Sequence, residues 1–250
     1  MKNVFVCIKN AFLQDVRYPC NFVFGMLTPL LSLIPLMITI QMFQRQSDLA
    51  WYLIGLIIWM YLTQIIWGNG VILKNEKQMG TLEQLFLLPK KLSFFVFSKS
   101  LYFVIKALIS MIFVVLFCNF VYDSNIEVVK ILCVILIGFP FYYSISIIIS
   151  LFCLNVDYLF PVLQTVLGVV MIFSGMTYDI SLNGKLAFLN KCNIIYQVML
   201  LARKSSSLDF VEIFLSQESL IIILGGVISF LLMIFSINRF ITKHKLKGVF

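Results

Sequence analysis

The chain has 250 residues, of which 61% are apolar and 12% charged, against roughly 45–50% and 25% in an average soluble domain. This balance excludes a water-soluble globular protein and predicts an all-α integral membrane protein, because stretches of about 20 apolar residues recur along it. The net charge of +8 does not mark a nucleic-acid partner, since no water-exposed element remains on which Lys and Arg cluster; it reports membrane topology.

In chain order, residues 1–21 read as an amphipathic interfacial helix. Val4, Phe5, Ile8, Ala11, Phe12 and Val16 fall on one stripe, with Lys2, Lys9, Gln14 and Arg17 elsewhere around the axis. Its basic residues suit anionic headgroups and its aromatic rings the acyl boundary, and Pro19 breaks the path beyond it. No uninterrupted apolar core leads to a small-residue cleavage site here, so the first span is expected to serve as the targeting signal.

Six spans are predicted, at residues 22–43, 49–73, 101–122, 128–154, 159–174 and 220–240. A polar turn at 44–48 separates the first two, residues 74–99 form the main loop on their side, and Pro140 is expected to kink the fourth span. Residues 177–218 are too apolar for a solvated loop yet are broken by Asp179, Asn183, Gly184 and Lys185. They read as short re-entrant outer helices, whose irregular backbone protein must bury. The whole chain, 1–250, is read as a single transmembrane domain.

Lys and Arg set the orientation. The amino-terminal segment, the loop at 74–99 and the tail carry Lys2, Lys9, Arg17, Lys74, Lys77, Lys90, Lys91, Lys99, Arg239, Lys243, Lys245 and Lys247 on one side of a six-span chain. The opposite side spreads Arg45, Lys130, Lys185, Lys191, Arg203 and Lys204 over more residues. The positive-inside rule then predicts a plasma-membrane protein with both termini cytoplasmic.

Enzyme chemistry and ion coupling lack candidate groups. Every acidic residue falls in a loop or at a span end, and the charge inside the third span, Lys106, is read as snorkelling to the cytoplasmic surface. His244 stands in the basic tail, which excludes a His-based triad or zinc motif. The six Cys, at positions 7, 20, 118, 133, 153 and 192, form no CxxC pair and read as small apolar fillers; Cys118 and Cys192 both fall near the expected outer surface, which leaves a disulfide open. No GxxxxGK[ST] phosphate loop is present, so no cofactor is assigned to this chain, and any ATP energy must come from a partner.

The most informative segment follows the second span. Thr81 is a good N-cap, Gln84 three residues on completes a capping box, Glu83 suits the positive helix end, and Pro89 closes the element. The result is a short cytoplasmic helix presenting Leu82, Leu85 and Phe86 as an apolar knob beside Glu76 and Glu83. Such a helix either inserts into a groove on another protein or is an interfacial helix capped for its own stability.

Glu76, Gly80, Thr81, Leu82, Glu83, Gln84, Leu85 and Pro89 match, position by position, a pattern of the ABC-2 family of exporter permeases. The resemblance extends to Arg17 and Pro19 before the first span, Pro29 within it, Ser174 and Gly175 after the fifth, and Asn193, Ala202 and Arg203 before the sixth. It departs from the family where Ile194 follows Asn193 in place of a Pro, and where no Pro occurs beyond Pro161.

The resemblance implies a non-enzymatic membrane subunit working with a dimer of ABC ATPases, which bind ATP and Mg, and with a second permease, identical or related. The eight motif residues would then form the ATPase-coupling helix. Phe22, Phe24, Tyr52, Trp59, Tyr61, Gln64, Asn69, Phe160 and Gln164, on the first, second and fifth spans, are read as lining a substrate path. Their greasy, weakly polar character suits a peptide, drug or lipid-like cargo. The alternative is a membrane immunity or sensor protein that binds an antimicrobial peptide without moving it.

Overall fold

The computed structural model describes residues 2–17, 19–20, 23, 25, 27, 31, 49–81, 92–122, 126–155, 159–176 and 193–246. Among these residues the backbone is helical, with no strand. The bounded elements are α1 (Lys2–Arg17), α2 (Leu49–Gly70), α3 (Ile72–Gln78), α4 (Leu92–Tyr122), α5 (Val128–Asn155), α6 (Leu159–Phe173), α7 (Ile194–Lys204), α8 (Phe210–Leu215) and α9 (Gln217–Leu246).

Four of these helical stretches are long and apolar enough to cross a bilayer: Ala50–Gln78, Phe94–Val121, Val128–Cys153 and Gln217–Phe240. They coincide with the second, third, fourth and sixth predicted spans. The predicted first span, 22–43, lies almost wholly outside the described residues; its described members Val23, Gly25, Leu27 and Leu31 are helical. The predicted fifth span coincides with α6, whose 15 residues fall short of the roughly 20 that a perpendicular crossing requires.

The loop predicted at 74–99 is shorter than expected at both ends. On its amino-terminal side α3 continues the path of α2: Val71 N–H donates to the Trp67 carbonyl at 3.3 Å and Asn75 N–H to the Val71 carbonyl at 2.8 Å. On the other side α4 begins at Leu92, well before residue 101. Its first turns contain Ser98, Lys99 and Ser100, polar residues that signal a loop in sequence but are satisfied within the fold. Ser98 Oγ donates to the Phe94 carbonyl at 2.8 Å, Ser100 Oγ to Tyr143 Oη at 3.0 Å, and Lys99 Nζ to Glu76 Oε1 at 2.5 Å. Groups paired in this way no longer oppose helix formation.

The core is organised around α5, which packs against α2, α3, α7, α8 and, most extensively, α9. Within its apolar window 61% of residues are buried, against 22% for α9, so α5 is interior and α9 peripheral. Pro140 sits inside α5 at a close approach of α9: a Cβ at Gly226 would lie 3.2 Å from Pro140 Cβ, the small-residue contact that brings membrane helices together.

Asn119 ties the end of α4 to the residue pair just before α5. Its Nδ2 donates to the Ile126 carbonyl at 2.8 Å and its Oδ1 accepts from Ile126 N–H at 2.9 Å. Within the region expected to hold short outer helices, residues 177–192 lie outside the described residues, and α7 and α8 occupy the remainder. Asn193 caps α7 by accepting from Ile195 N–H at 3.1 Å. At α8, Asp209 and Glu212 form a capping box in which Glu212 Oε2 accepts from Asp209 N–H at 3.1 Å.

Candidate functional site

The segment that sequence singled out begins with a firmly built stem. α3 ends in a Schellman turn: Gly80 N–H donates to the Lys77 carbonyl at 3.2 Å and Thr81 N–H to the Glu76 carbonyl at 3.0 Å, with Gly80 at φ +68°, the left-handed conformation that glycine accepts at least cost. The Thr81 hydroxyl turns back onto Glu76, to its carbonyl at 3.2 Å and to its carboxylate. The other carboxylate oxygen of Glu76 pairs with Lys99 Nζ of α4 at 2.5 Å.

Glu76 is therefore held within the fold. It is 8% exposed and joins the end of α3 to the first turns of α4. Thr81 closes the preceding helix, a role that sequence did not assign to it. Of the other expected coupling residues, Leu82, Glu83, Gln84, Leu85 and Pro89 lie outside the described residues.

The residues expected along a substrate path separate by burial. Trp59, Tyr61 and Asn69 are 9%, 1% and 0% exposed and hold the chain's own helices together: Asn69 Nδ2 donates to Ser146 Oγ of α5 at 2.7 Å, and the Tyr61 ring meets Tyr142 edge-on at 6.2 Å. Gln64 is half-buried, donating to Ser110 Oγ of α4 at 3.2 Å, and it borders a small void with Tyr61, Met60 and Val114. Tyr52 is half-buried against Trp51, and Gln164 is exposed on α6. Phe160 belongs to α6, but its side chain, like Phe22 and Phe24 entirely, lies outside the described residues.

Two further clamps were missed or misread in the sequence. Lys106 does not simply snorkel: its Nζ lies 2.5 Å from Asp15 Oδ2 of α1, and Tyr102 Oη donates to the same oxygen at 2.6 Å. This cluster pins α1 to α4. An acid on the amphipathic α1 and a base inside the apolar α4 were the available signal.

Arg203, counted in sequence as an outer-surface charge, is the second clamp. Its Nε donates to the Trp51 carbonyl at 3.2 Å, Nη1 to Gly175 at 2.9 Å and Nη2 to Met176 at 3.0 Å, while its Cζ stands 3.3 Å from the centroid of the Trp51 ring. The Gly175 and Met176 carbonyls belong to the segment just past the carboxy-terminal end of α6, where backbone acceptors lack intrahelical donors, and the Trp51 carbonyl belongs to the first turn of α2. Gly55 makes room for the guanidinium, since a Cβ there would lie 2.5 Å from Nη2. A glycine in an otherwise unbroken apolar run is the sequence trace of that close approach.

Among the described residues no group of three or more His, Cys, Asp or Glu is placed to share a metal ion. The chemistry on offer is mechanical: apolar helices joined at their ends by charged clamps. Several apolar helices of spanning length indicate a multi-pass membrane protein. The chain belongs to the ABC-2 type transporter family, whose model matches residues 2–206. Permeases of this family generally work with ABC ATPase partners and are generally not catalytic themselves. No curated protein and no solved structure matches the chain.

Proposed function

We propose that this chain is the permease subunit of an ATP-binding cassette exporter, moving an amphipathic or hydrophobic substrate such as a peptide, drug or lipid-like molecule out of the cytoplasm. ATP hydrolysis resides in a dimer of separate ATPase chains, and a second permease, identical or related, completes the path. Residues 1–250 act as one transmembrane domain in the plasma membrane, with six crossings and both termini cytoplasmic.

The observation that carries this reading is the stem before the Thr81–Pro89 motif. A loop that receives a push transmits it only if its base is stiff, and here the base is locked by Gly80, Thr81 and the Glu76–Lys99 pair. In this mechanism the ATPases grip residues 81–89 and favour one permease state over the other through differential contacts, as linkage requires. The substrate path runs along the half-buried and exposed members of the expected set, Tyr52, Gln64 and Gln164, with Phe22, Phe24 and Phe160.

The double substitution Glu83→Arg with Leu85→Asp tests the coupling assignment in the assembled complex. Substrate-stimulated ATPase activity and export are expected to fall together while the complex still assembles in the membrane. Survival of both activities refutes the assignment. Protection of cells that persists with a hydrolysis-dead ATPase would instead establish the binding-only immunity reading.

A further inference from the structure

Towards the carboxy-terminal ends of α5 and α9 an open-sided cavity of about 370 Å³ is lined by both helices, within the roughly 300–1,000 Å³ of small-ligand sites. Leu151 and Phe152 of α5 and Phe235, Ser236, Arg239 and Phe240 of α9 line it. Phe152 and Phe235 are 58% and 63% exposed, so the apolar wall opens sideways from the helix bundle. Ser236 spends its hydroxyl proton on the Leu232 carbonyl at 2.8 Å, which leaves Arg239 as the charged group of the lining. Arg239 is exposed and pairs with no carboxylate among the described residues.

Depth identifies the occupant. At the other end of α9, Glu218 pairs with Lys204 at 2.6 Å, and between Glu218 and Arg239 the helix rises roughly 30 Å at about 1.5 Å per residue, the thickness of a bilayer's hydrocarbon core. If Glu218 stands at one headgroup layer, the Arg239 guanidinium stands at the other, with Phe235 and Phe152 one turn deeper at acyl level.

The geometry points to a binding site for an anionic glycerophospholipid, its phosphate held by Arg239 and one acyl chain laid between α5 and α9 against Phe152 and Phe235. A cation at headgroup depth above an apolar slot complements that molecule at both ends, and basic pockets between spanning helices hold anionic headgroups in this way. Arg adds the forked donor geometry that phosphate accepts. The site needs only that α9 crosses the membrane and does not depend on the exporter reading.

The test uses the full-length chain reconstituted in phosphatidylcholine vesicles containing a small fraction of a photoactivatable lipid with the reactive group on the acyl chain. After illumination, labelled peptides are mapped by mass spectrometry. A phosphatidylglycerol probe is expected to label residues 148–152 and 235–240 about fivefold more than a phosphatidylcholine probe, the preference contributed by one basic residue at a membrane surface. Arg239→Gln removes the preference, while Lys9→Gln on the interfacial helix leaves it intact. The comparison of probes on wild-type protein stands even if Arg239→Gln fails to fold. Equal labelling by the two probes, or a preference that survives Arg239→Gln, overturns the assignment. Loss of labelling on adding excess glycerol 3-phosphate assigns the cavity to a soluble phosphate and overturns it equally.

Discussion

The close approach between Gly55 and Arg203 makes a prediction whose sign depends on its partner. Replacing Gly55 by Ala puts a methyl group 2.5 Å from Arg203 Nη2 and 3.4 Å from Cζ. Overpacking of this kind costs about 1–3 kcal/mol, whereas Gly→Ala inside a helix returns about 1 kcal/mol. The net expectation in the wild-type background is destabilisation by about 1 kcal/mol.

Once Arg203→Ala has removed the guanidinium, the remaining neighbour is the Met176 carbonyl oxygen at 3.4 Å, an ordinary contact, and Gly55→Ala becomes stabilising by about 1 kcal/mol. Arg203→Ala alone forfeits three charge-assisted bonds made by one half-buried group and the Trp51 stack, a loss of about 3 kcal/mol once non-additivity is allowed for. At roughly 2–4 °C per kcal/mol for a chain of this size, thermal unfolding in detergent resolves all three variants. The coupling across the double-mutant cycle is expected at about 2 kcal/mol. If Gly55→Ala shifts the melting temperature by the same amount with and without Arg203, the steric account of this clamp is refuted.

Gly80→Val is expected to destabilise the stem by about 1–2 kcal/mol through the left-handed backbone, because no atom of the described residues lies within 4 Å of a Cβ placed there; Gly80→Asn should cost much less, and limited proteolysis next to Thr81 reports the difference. Tyr142 and Tyr143 are adjacent but opposite in their hydroxyls: Tyr142 Oη is buried without a partner among the described residues, while Tyr143 Oη accepts from Ser100. Tyr142→Phe should be neutral or stabilising and Tyr143→Phe destabilising by about 1 kcal/mol, and equal melting shifts for the two would contradict the hydrogen-bond assignment.

The helical class and four of the spans were legible because sustained hydropathy needs no knowledge of neighbours. The start of α4 was not, since Ser98, Lys99 and Ser100 look like loop residues until Phe94, Glu76 and Tyr143 supply their partners. Charge counting read Arg203 as a topology marker, and Lys106 was read as snorkelling to the surface, because neither reading has geometry. Their acceptors, the Trp51, Gly175 and Met176 carbonyls and the Asp15 carboxylate, stand far away in sequence. The same holds for Glu76: a motif match gives the residue type, but only the fold shows that its carboxylate is spent on Lys99 and Thr81.

The peripheral seat of α9 bears on how freely its sequence can drift. One stripe, with Ile222, Gly226, Ser229 and Met233, is fitted against the bundle, whereas Leu224, Ile228, Leu231 and Phe235 stand outside it. A hydrocarbon neighbour asks only for greasiness, not shape. The outer stripe can therefore exchange Leu, Ile, Val and Phe almost at random, while the inner one accepts little beyond residues of its present shapes.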